Sequence, residues 1–545
     1  MDVRGAVSDL LFEVRVLHEA GIVEVMRPDK FLRVGRTFVR WGASPATGVA
    51  IAAIEHPHEI AILDERGSLT WERLHKRSNA LAHALKAMGI GPGDGVGLMA
   101  RNHRGFLETT LATAKLGASA LYLNTMFSGP QLVDVMKREG PKALVYDEEF
   151  EDLLAGVEPG VQRVVAWHDG EPPAGATTLE QLMADGDDSD HQPPPDKPRF
   201  VILTSGTTGT PKGAQRTSPD GLMALAAVLD KIPFRSGSTM MIAAPLFHSW
   251  GFLHFVVSLP TASTMVLRRR FDPEATLEAI ERTRADVLAA VPVMVQRILG
   301  LPDEVLDRYK LSSLRIASLS GSALPGELAI AWMDRFGDNV YNLYGSTEVA
   351  YATVATPEDL RAAPGTAGRP PRGTTVRLYD DAGKEVPPGQ VGRIFVGNDM
   401  RMEGYTGGGN KEAIDGLLSS GDVGHIDESG RLFVDGRDDE MIVSGGENVF
   451  PREVEDLLAD LDGIREAAVI GVDDEQFGQR LAAFVVLEDG ASLSEADLGA
   501  HVKANLASYK TPREVEFMDE LPRNATGKVL KRELADREAS GREAQ

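Results

Sequence analysis

LTSGTTGTPKG, residues 203–213, is the segment from which the rest of the chain is best read. It follows the apolar run Phe200-Val-Ile-Leu203, which predicts a buried strand running into a glycine-rich turn. Gly206, Gly209 and Gly213 let a ligand come close to the backbone. The hydroxyls of Thr204, Ser205, Thr207 and Thr208, together with free amides, can surround an oxyanion. Lys212 adds a mobile positive charge. This is chemistry for a polyphosphate. The loop is not of the Walker A type, because Lys212 precedes the last glycine and no serine or threonine follows it directly. The chain also lacks GxGxxG and GxSxG, so the dinucleotide-binding and α/β-hydrolase signatures are missing.

Upstream of this loop, strand and helix patterns alternate. Thr70 is placed to cap a helix closing at Gly89. Val96–Ala100 predicts a strand, Phe106–Leu116 a helix ended by Gly117, Ala118–Leu123 a strand, Gln131–Glu139 a helix and Ala143–Tyr146 a strand. Residues 169–198, rich in Asp, Pro and Gly, predict a surface connection without regular structure. Alternation resumes at Phe200 and runs to about Tyr344. From Thr375 the pattern becomes short strands and turns, and after Asp439 a compact unit of helices and strands follows. The expected fold class is α/β: a large N-terminal domain of mostly parallel sheets flanked by helices, a β-rich subdomain, and a small mobile α+β C-terminal domain. The expected boundaries are 1–50 for a helical extension, 51–436 for the large domain (β-rich part about 370–436), 437–440 for a hinge and 441–545 for the C-terminal domain.

The chain has 545 residues, 57 basic and 81 acidic side chains, a formal charge of −24 and no cysteine. Disulfides, cysteine-ligated zinc or iron–sulfur sites and a catalytic thiol are thereby excluded. The acidic balance argues against nucleic acid as a partner. Ser236–Leu267 carries no Lys, Arg, Asp or Glu, but it contains Pro245, Pro260, His248 and His254 and predicts buried core, not a transmembrane segment. The N-terminus lacks the pattern of a secretory signal, so a cytoplasmic location is expected.

Seven further motifs occur in order: PLFHSWG (245–251), GSA (321–323), NLYGSTE (342–348), SGD (420–422), GRDD (436–439), SGGEN (444–448) and PRNATGK (522–528). With the glycine-rich loop they make the chain resemble the adenylate-forming superfamily of acyl-CoA synthetases, peptide-synthetase adenylation domains and firefly luciferase. Within it the chain looks most like bacterial fatty-acid–CoA ligases. The resemblance implies ATP and CoA as cosubstrates, magnesium as cofactor, and a fatty acid of medium or long chain as substrate.

The resemblance also implies a role for each residue. Thr204, Ser205, Gly206, Thr207, Thr208, Gly209 and Lys212 would hold the phosphates. Gly321, Ser322 and Ala323 would line the adenine pocket, with Asn342, Tyr344, Gly345 and Ser346 beside them and Tyr344 stacking on the base. Asp422 would accept from the ribose hydroxyls and Arg437 would contact ribose or phosphate. Thr347 would reach the α-phosphate, and Glu348 and Thr204 would face the magnesium. Lys528 would lie between the carboxylate and the α-phosphate, and His248 would contact or gate the carboxylate. Asp439 would be the hinge, about which the C-terminal domain turns to present Ser444, Gly445 and Gly446 to the pantetheine arm.

Two departures stand out. Val443 replaces a lysine that contacts the nucleotide in many members, and Asn448 stands where some long-chain enzymes carry an aromatic gate. No acidic residue lies near His248, which disfavours an amino-acid substrate. An aryl or other carboxylate–CoA ligase, a ligase loading a carrier protein, and a non-catalytic nucleotide- or acyl-binding protein are the alternatives. Leu10, Leu11, Val14 and Leu17 predict an amphipathic helix docked on the main domain, with a partner or a bilayer as the alternatives. Peripheral membrane contact and a homodimer stay open.

Overall fold

A computed structural model describes residues 3–23, 27–184, 186–204, 212–217, 221–406, 408–440, 442–444, 447–474, 478–506, 510–524 and 527–543. The expected fold class holds. Two large sheets, one eight-stranded and one seven-stranded, form the N-terminal domain. In the first, the parallel strands Val340–Tyr344, Ile316–Leu319, Val287–Ala290, Thr239–Ile242, Thr264–Leu267 and Ile60–Asp64 lie side by side in that order, with antiparallel strands at both edges. In the second, Arg199–Thr204, Ser119–Tyr122, Gly95–Met99, Ala143–Asp147 and Gln162–Trp167 are parallel. A third, antiparallel sheet spans Thr375–Arg437, and a fourth forms the C-terminal domain.

The helix Arg104–Leu116 is buried along its whole length. Such a helix must neutralise its own charges, because an unpaired charge away from water is costly. Arg104 pairs with Asp64 at 2.6 Å, Glu108 with Arg77 at 2.5 Å, and Lys115 donates to Ser78 Oγ and Asn79 Oδ1 at 2.7 and 2.6 Å. Gly117 closes the helix in the left-handed conformation, as predicted, and at its start His103 accepts from the Gly105 amide.

Ser236–Leu267 divides into strand, helix and strand in the interior. Among the described residues, no helix is long and apolar enough to cross a membrane. Residues 169–198 depart from expectation. They contain the helix Leu179–Ala184, whose Leu179 and Met183 are buried, and His191 is buried as well. Loop-forming composition masked two apolar anchors one helical turn apart. The first helix, α1 (Val3–Glu19), does dock on the domain, but through Phe12, Val16, Leu17 and Ala20; Leu10, Leu11 and Val14 are exposed. The predicted apolar set named the outer face, and only Leu17 belongs to the inner one.

Candidate active site

Ligands of parallel sheets gather beyond the C-terminal ends of the strands. Here the adjacent strands Ile316–Leu319 and Val340–Tyr344 pair Leu319 with Asn342 and deliver two turns to the same edge. The first turn carries Gly321, with φ +94°, half-buried Ser322 and exposed Ala323. The second carries Gly345, Ser346, Thr347 and Glu348, all half-buried. Only glycine fits at 345, since a Cβ there would meet Ala350 O at 2.1 Å. Ser346 Oγ accepts from the amides of Glu348 and Val349 at 3.2 and 3.4 Å and fixes the turn. Asn342 is buried, and its Oδ1 has no hydrogen-bond partner among the described residues.

The Tyr344 hydroxyl donates to Asp422 Oδ2 at 2.5 Å, and its oxygen lies 3.2 Å from Ser420 Oγ. Asp422 faces Arg437 across an antiparallel pair, with Oδ1 3.6 Å from the guanidinium. Burial pushes the Asp422 carboxyl above the usual carboxylate range, while Arg437, the Tyr344 hydroxyl and Lys528 pull it back. The same burial, with Asp422 beside it, holds the Tyr344 hydroxyl protonated far above its ordinary value.

Lys528 comes from the C-terminal domain, yet its charge is felt at Asp422. The turn that presents it is tightly held. Lys528 N donates to Asn524 Oδ1 at 2.9 Å, and Arg523 ties the Gly527 carbonyl to Glu466, at 2.5 and 2.7 Å. Gly527, at φ +78°, abuts the large domain so closely that a Cβ would be 2.3 Å from Val293 Cγ1. Residues 525 and 526 lie outside the described set.

His248 N-caps the helix Ser249–Ser258 without using its side chain. Its loop is pinned by Asn102, which donates to Ile242 O and Ala244 O at 3.1 and 2.9 Å and accepts from the Leu246 amide at 2.9 Å. The Nε2 of His248 and the Oγ of Ser249 are buried with no hydrogen-bond partner among the described residues. Burial lowers the His248 imidazole to about 4, so it is neutral near pH 7.

Of the glycine-rich loop, Ser205, Gly206, Thr207, Thr208 and Gly209 lie outside the described residues, as does the side chain of Thr204. Its stem is visible: the strands Arg199–Thr204 and Lys212–Thr217 pair antiparallel, Thr204 opposite Lys212, and Lys212 is exposed. Gly445, Gly446 and the side chains of Ser444 and Asp439 also lie outside it; the backbone of Asp439 forms part of the short helix Asp438–Glu440.

One side chain beside the candidate site has no sequence signal. Tyr405 belongs to the two-residue strand Gly404–Tyr405, which pairs with the loop's return strand. Its hydroxyl donates to Glu348 Oε1 at 2.8 Å, and its ring lies 5.4 Å from Lys212 Nζ. Met402 N donates to Glu348 O at 2.7 Å, and Gly213 N to Thr406 Oγ1 at 3.2 Å. Residues 402–406 therefore join the phosphate-loop stem to Glu348. Between the two domains opens a cleft of about 940 Å³, lined by Pro245, Phe247 and Val293 and by Arg101, Arg268 and Arg270 among other arginines.

Two family descriptions match the chain: "AMP-binding enzyme" over residues 49–406 and "AMP-binding enzyme C-terminal domain" over 453–528. A feruloyl-CoA synthase of Amycolatopsis sp. is 35% identical over 88% of this chain and 96% of its own. The fatty acid–[acyl-carrier-protein] ligase ScoC of Streptomyces coeruleorubidus is 33% identical, over 89% and 94%. ATP-bound MatB from Rhodopseudomonas palustris superposes with a TM-score of 0.80 at 29% identity, covering 90% of this chain and 98% of that one.

Proposed function

Because the chain belongs to the AMP-binding enzyme family, we propose that it is an ATP-dependent acid–CoA ligase whose substrate is an apolar carboxylic acid. A carboxylate is a poor acyl electrophile, since its charge repels nucleophiles and oxide is a bad leaving group. In the first step a carboxylate oxygen bonds to the α-phosphorus of ATP and the bond to pyrophosphate breaks. In the second, the CoA thiol loses its proton, sulfur bonds to the acyl carbon, and AMP departs.

The observation that carries this reading is the position of the Gly527-Lys528 turn. It is lodged against Val293 of the large domain, with the Lys528 charge acting on the nucleotide-side carboxylate Asp422. That position suits a cation offsetting two anions as they join. Asp422 and Arg437 hold the ribose, and Tyr344 adjoins the base. Thr347 contacts the α-phosphate, and neutral His248 offers its unpartnered Nε2 to the acid. Magnesium keeps several waters and takes few carboxylates. Glu348 fits it: one oxygen is engaged by Tyr405 and the other has no hydrogen bond among the described residues. Glu348 and Thr204 would hold the ion, which when bound neutralises phosphate charge. CoA is favoured as acceptor by the arginine-lined cleft, which suits a phosphorylated thiol. Asp439 serves as the hinge that withdraws Lys528 and brings Ser444, Gly445 and Gly446 to the pantetheine arm.

A fatty acid of medium or long chain is the primary substrate reading, supported by the apolar, acid-free stretch around His248. An aryl acid is the second, supported by the 35% identity to a feruloyl-CoA synthase. Use of ATP and CoA as cosubstrates supports a cytoplasmic location. The test is release of pyrophosphate and of AMP over straight-chain acids of increasing length and over aryl acids, with and without CoA. AMP release that requires CoA and rises with chain length supports the primary reading. A preference for ferulate-like acids moves it to the second, and turnover with a carrier protein but not with CoA removes both.

A further inference from the structure

The helix α2 (Pro28–Trp41) has no buried residue, although seven of its fourteen side chains are apolar or aromatic or proline. Its half-buried positions are Lys30, Val34, Thr37 and Trp41, spaced four, three and four apart. That stripe lies against the body of the protein, where α2 packs on the helix Pro45–Glu55 and Lys30 Nζ donates to Glu55 O at 2.7 Å. The rest of the helix faces solvent. At about 100° per residue, Phe38, Phe31, Gly35, Val39 and Leu32 fill an outward arc of about 120°. Phe31, Leu32, Phe38 and Val39 are 64, 71, 39 and 85% exposed. Beside this stripe, Arg33, Arg36 and Arg40 form a cationic arc. Arg33 and Arg36 have no ion-pair partner among the described residues; Arg40 reaches Gln192 Oε1 at 2.6 Å.

We propose that α2 is a docking surface for an anionic lipid bilayer, lying in the plane of the membrane with its phenylalanines below the headgroups and its arginines among them. Charge selects the occupant. Residues 27–41 carry five cations and one acid within a chain of net charge −24. A second copy placed on this face would set those cations against themselves across a two-fold axis. The outer stripe of α1 (Val7, Leu10, Leu11, Val14) is also apolar, but its neighbouring charges are mixed and largely paired: Asp9 with Arg372 at 2.9 Å and Arg15 with Asp230 at 3.0 Å. Of these two helices, α2 is the one that combines exposed apolar bulk with positive charge unpaired among the described residues.

The test is sedimentation of the full-length chain with vesicles of phosphatidylcholine alone and with about one third phosphatidylglycerol. The expected result is binding at least about tenfold tighter to the anionic vesicles and weakened by salt. It should be lost in Phe31→Ser/Val39→Ser and in Arg33→Glu/Arg36→Glu, with pyrophosphate release from a water-soluble acid unchanged. The proposal is overturned by equal or absent binding to the two vesicles, by binding that survives both double substitutions, or by self-association that Phe31→Ser/Val39→Ser abolishes while vesicles are ignored.

Discussion

Lys528 and His254 show how burial and charge act on single side chains. The turn of Lys528 rests on Val293, and in the proposed reaction the lysine offsets charge as carboxylate and phosphate meet. Lys528→Ala is therefore expected to slow pyrophosphate release by about 10²–10³-fold, the scale for losing one preorganised charge-stabilising group. Thioester formation from supplied acyl-adenylate should stay within about threefold; equal loss of both half-reactions would place the lysine elsewhere. His254 is fully buried, with Nδ1 2.9 Å from Trp250 O, and burial lowers its imidazole to about 4. The folded chain holds it neutral while the unfolded chain protonates it near pH 6.5. Its contribution is thus complete at neutral pH and is lost as pH falls from about 6.5 toward 4, by up to about 3 kcal/mol. His254→Leu should flatten the fall of the thermal midpoint over that interval, as calorimetry at several pH values would show. The lowered pKa cannot be read from the sequence, because it arises where tertiary packing buries one face of the helix Ser249–Ser258.

At the scale of elements, the two-residue strand Gly404–Tyr405 pairs with the return strand of the glycine-rich loop. It couples the phosphate-loop stem to Glu348 through one hydroxyl. Tyr405→Phe is expected to lower pyrophosphate release about tenfold, the worth of a hydrogen bond to a charged acceptor, and to raise the magnesium concentration needed for half-maximal rate. A magnesium titration of both proteins checks this; an unchanged titration would leave Tyr405 a packing residue. Helices and parallel strands were legible because their signals are local: Thr70 accepts from the Arg73 amide and Gly117 adopts the left-handed turn, as their types and positions predict. The helix Leu179–Ala184 and the inner face of α1 were not, since a loop-like composition and two competing apolar faces each leave the decision to tertiary packing. The motifs located most of the candidate site, but Tyr405 is brought in by pairing with a strand far away in sequence.

At the scale of the molecule, the cleft between the domains joins an acidic exterior to a local excess of arginine. Arg268 lines it without an ion-pair partner among the described residues, and its Nε is buried and unsatisfied. Arg268→Glu is expected to raise the KM for CoA about tenfold. Pyrophosphate release in the absence of CoA should not change, and measuring both on one preparation separates the cleft from the adenylation site. The link between Gly213 and Thr406 joins residues 193 apart in the chain. During synthesis the glycine-rich loop leaves the ribosome long before the residue that anchors its stem. A growing chain that ends short of Thr406 carries the complete loop sequence without this link to its stem, and making the link means closing a loop of 193 residues.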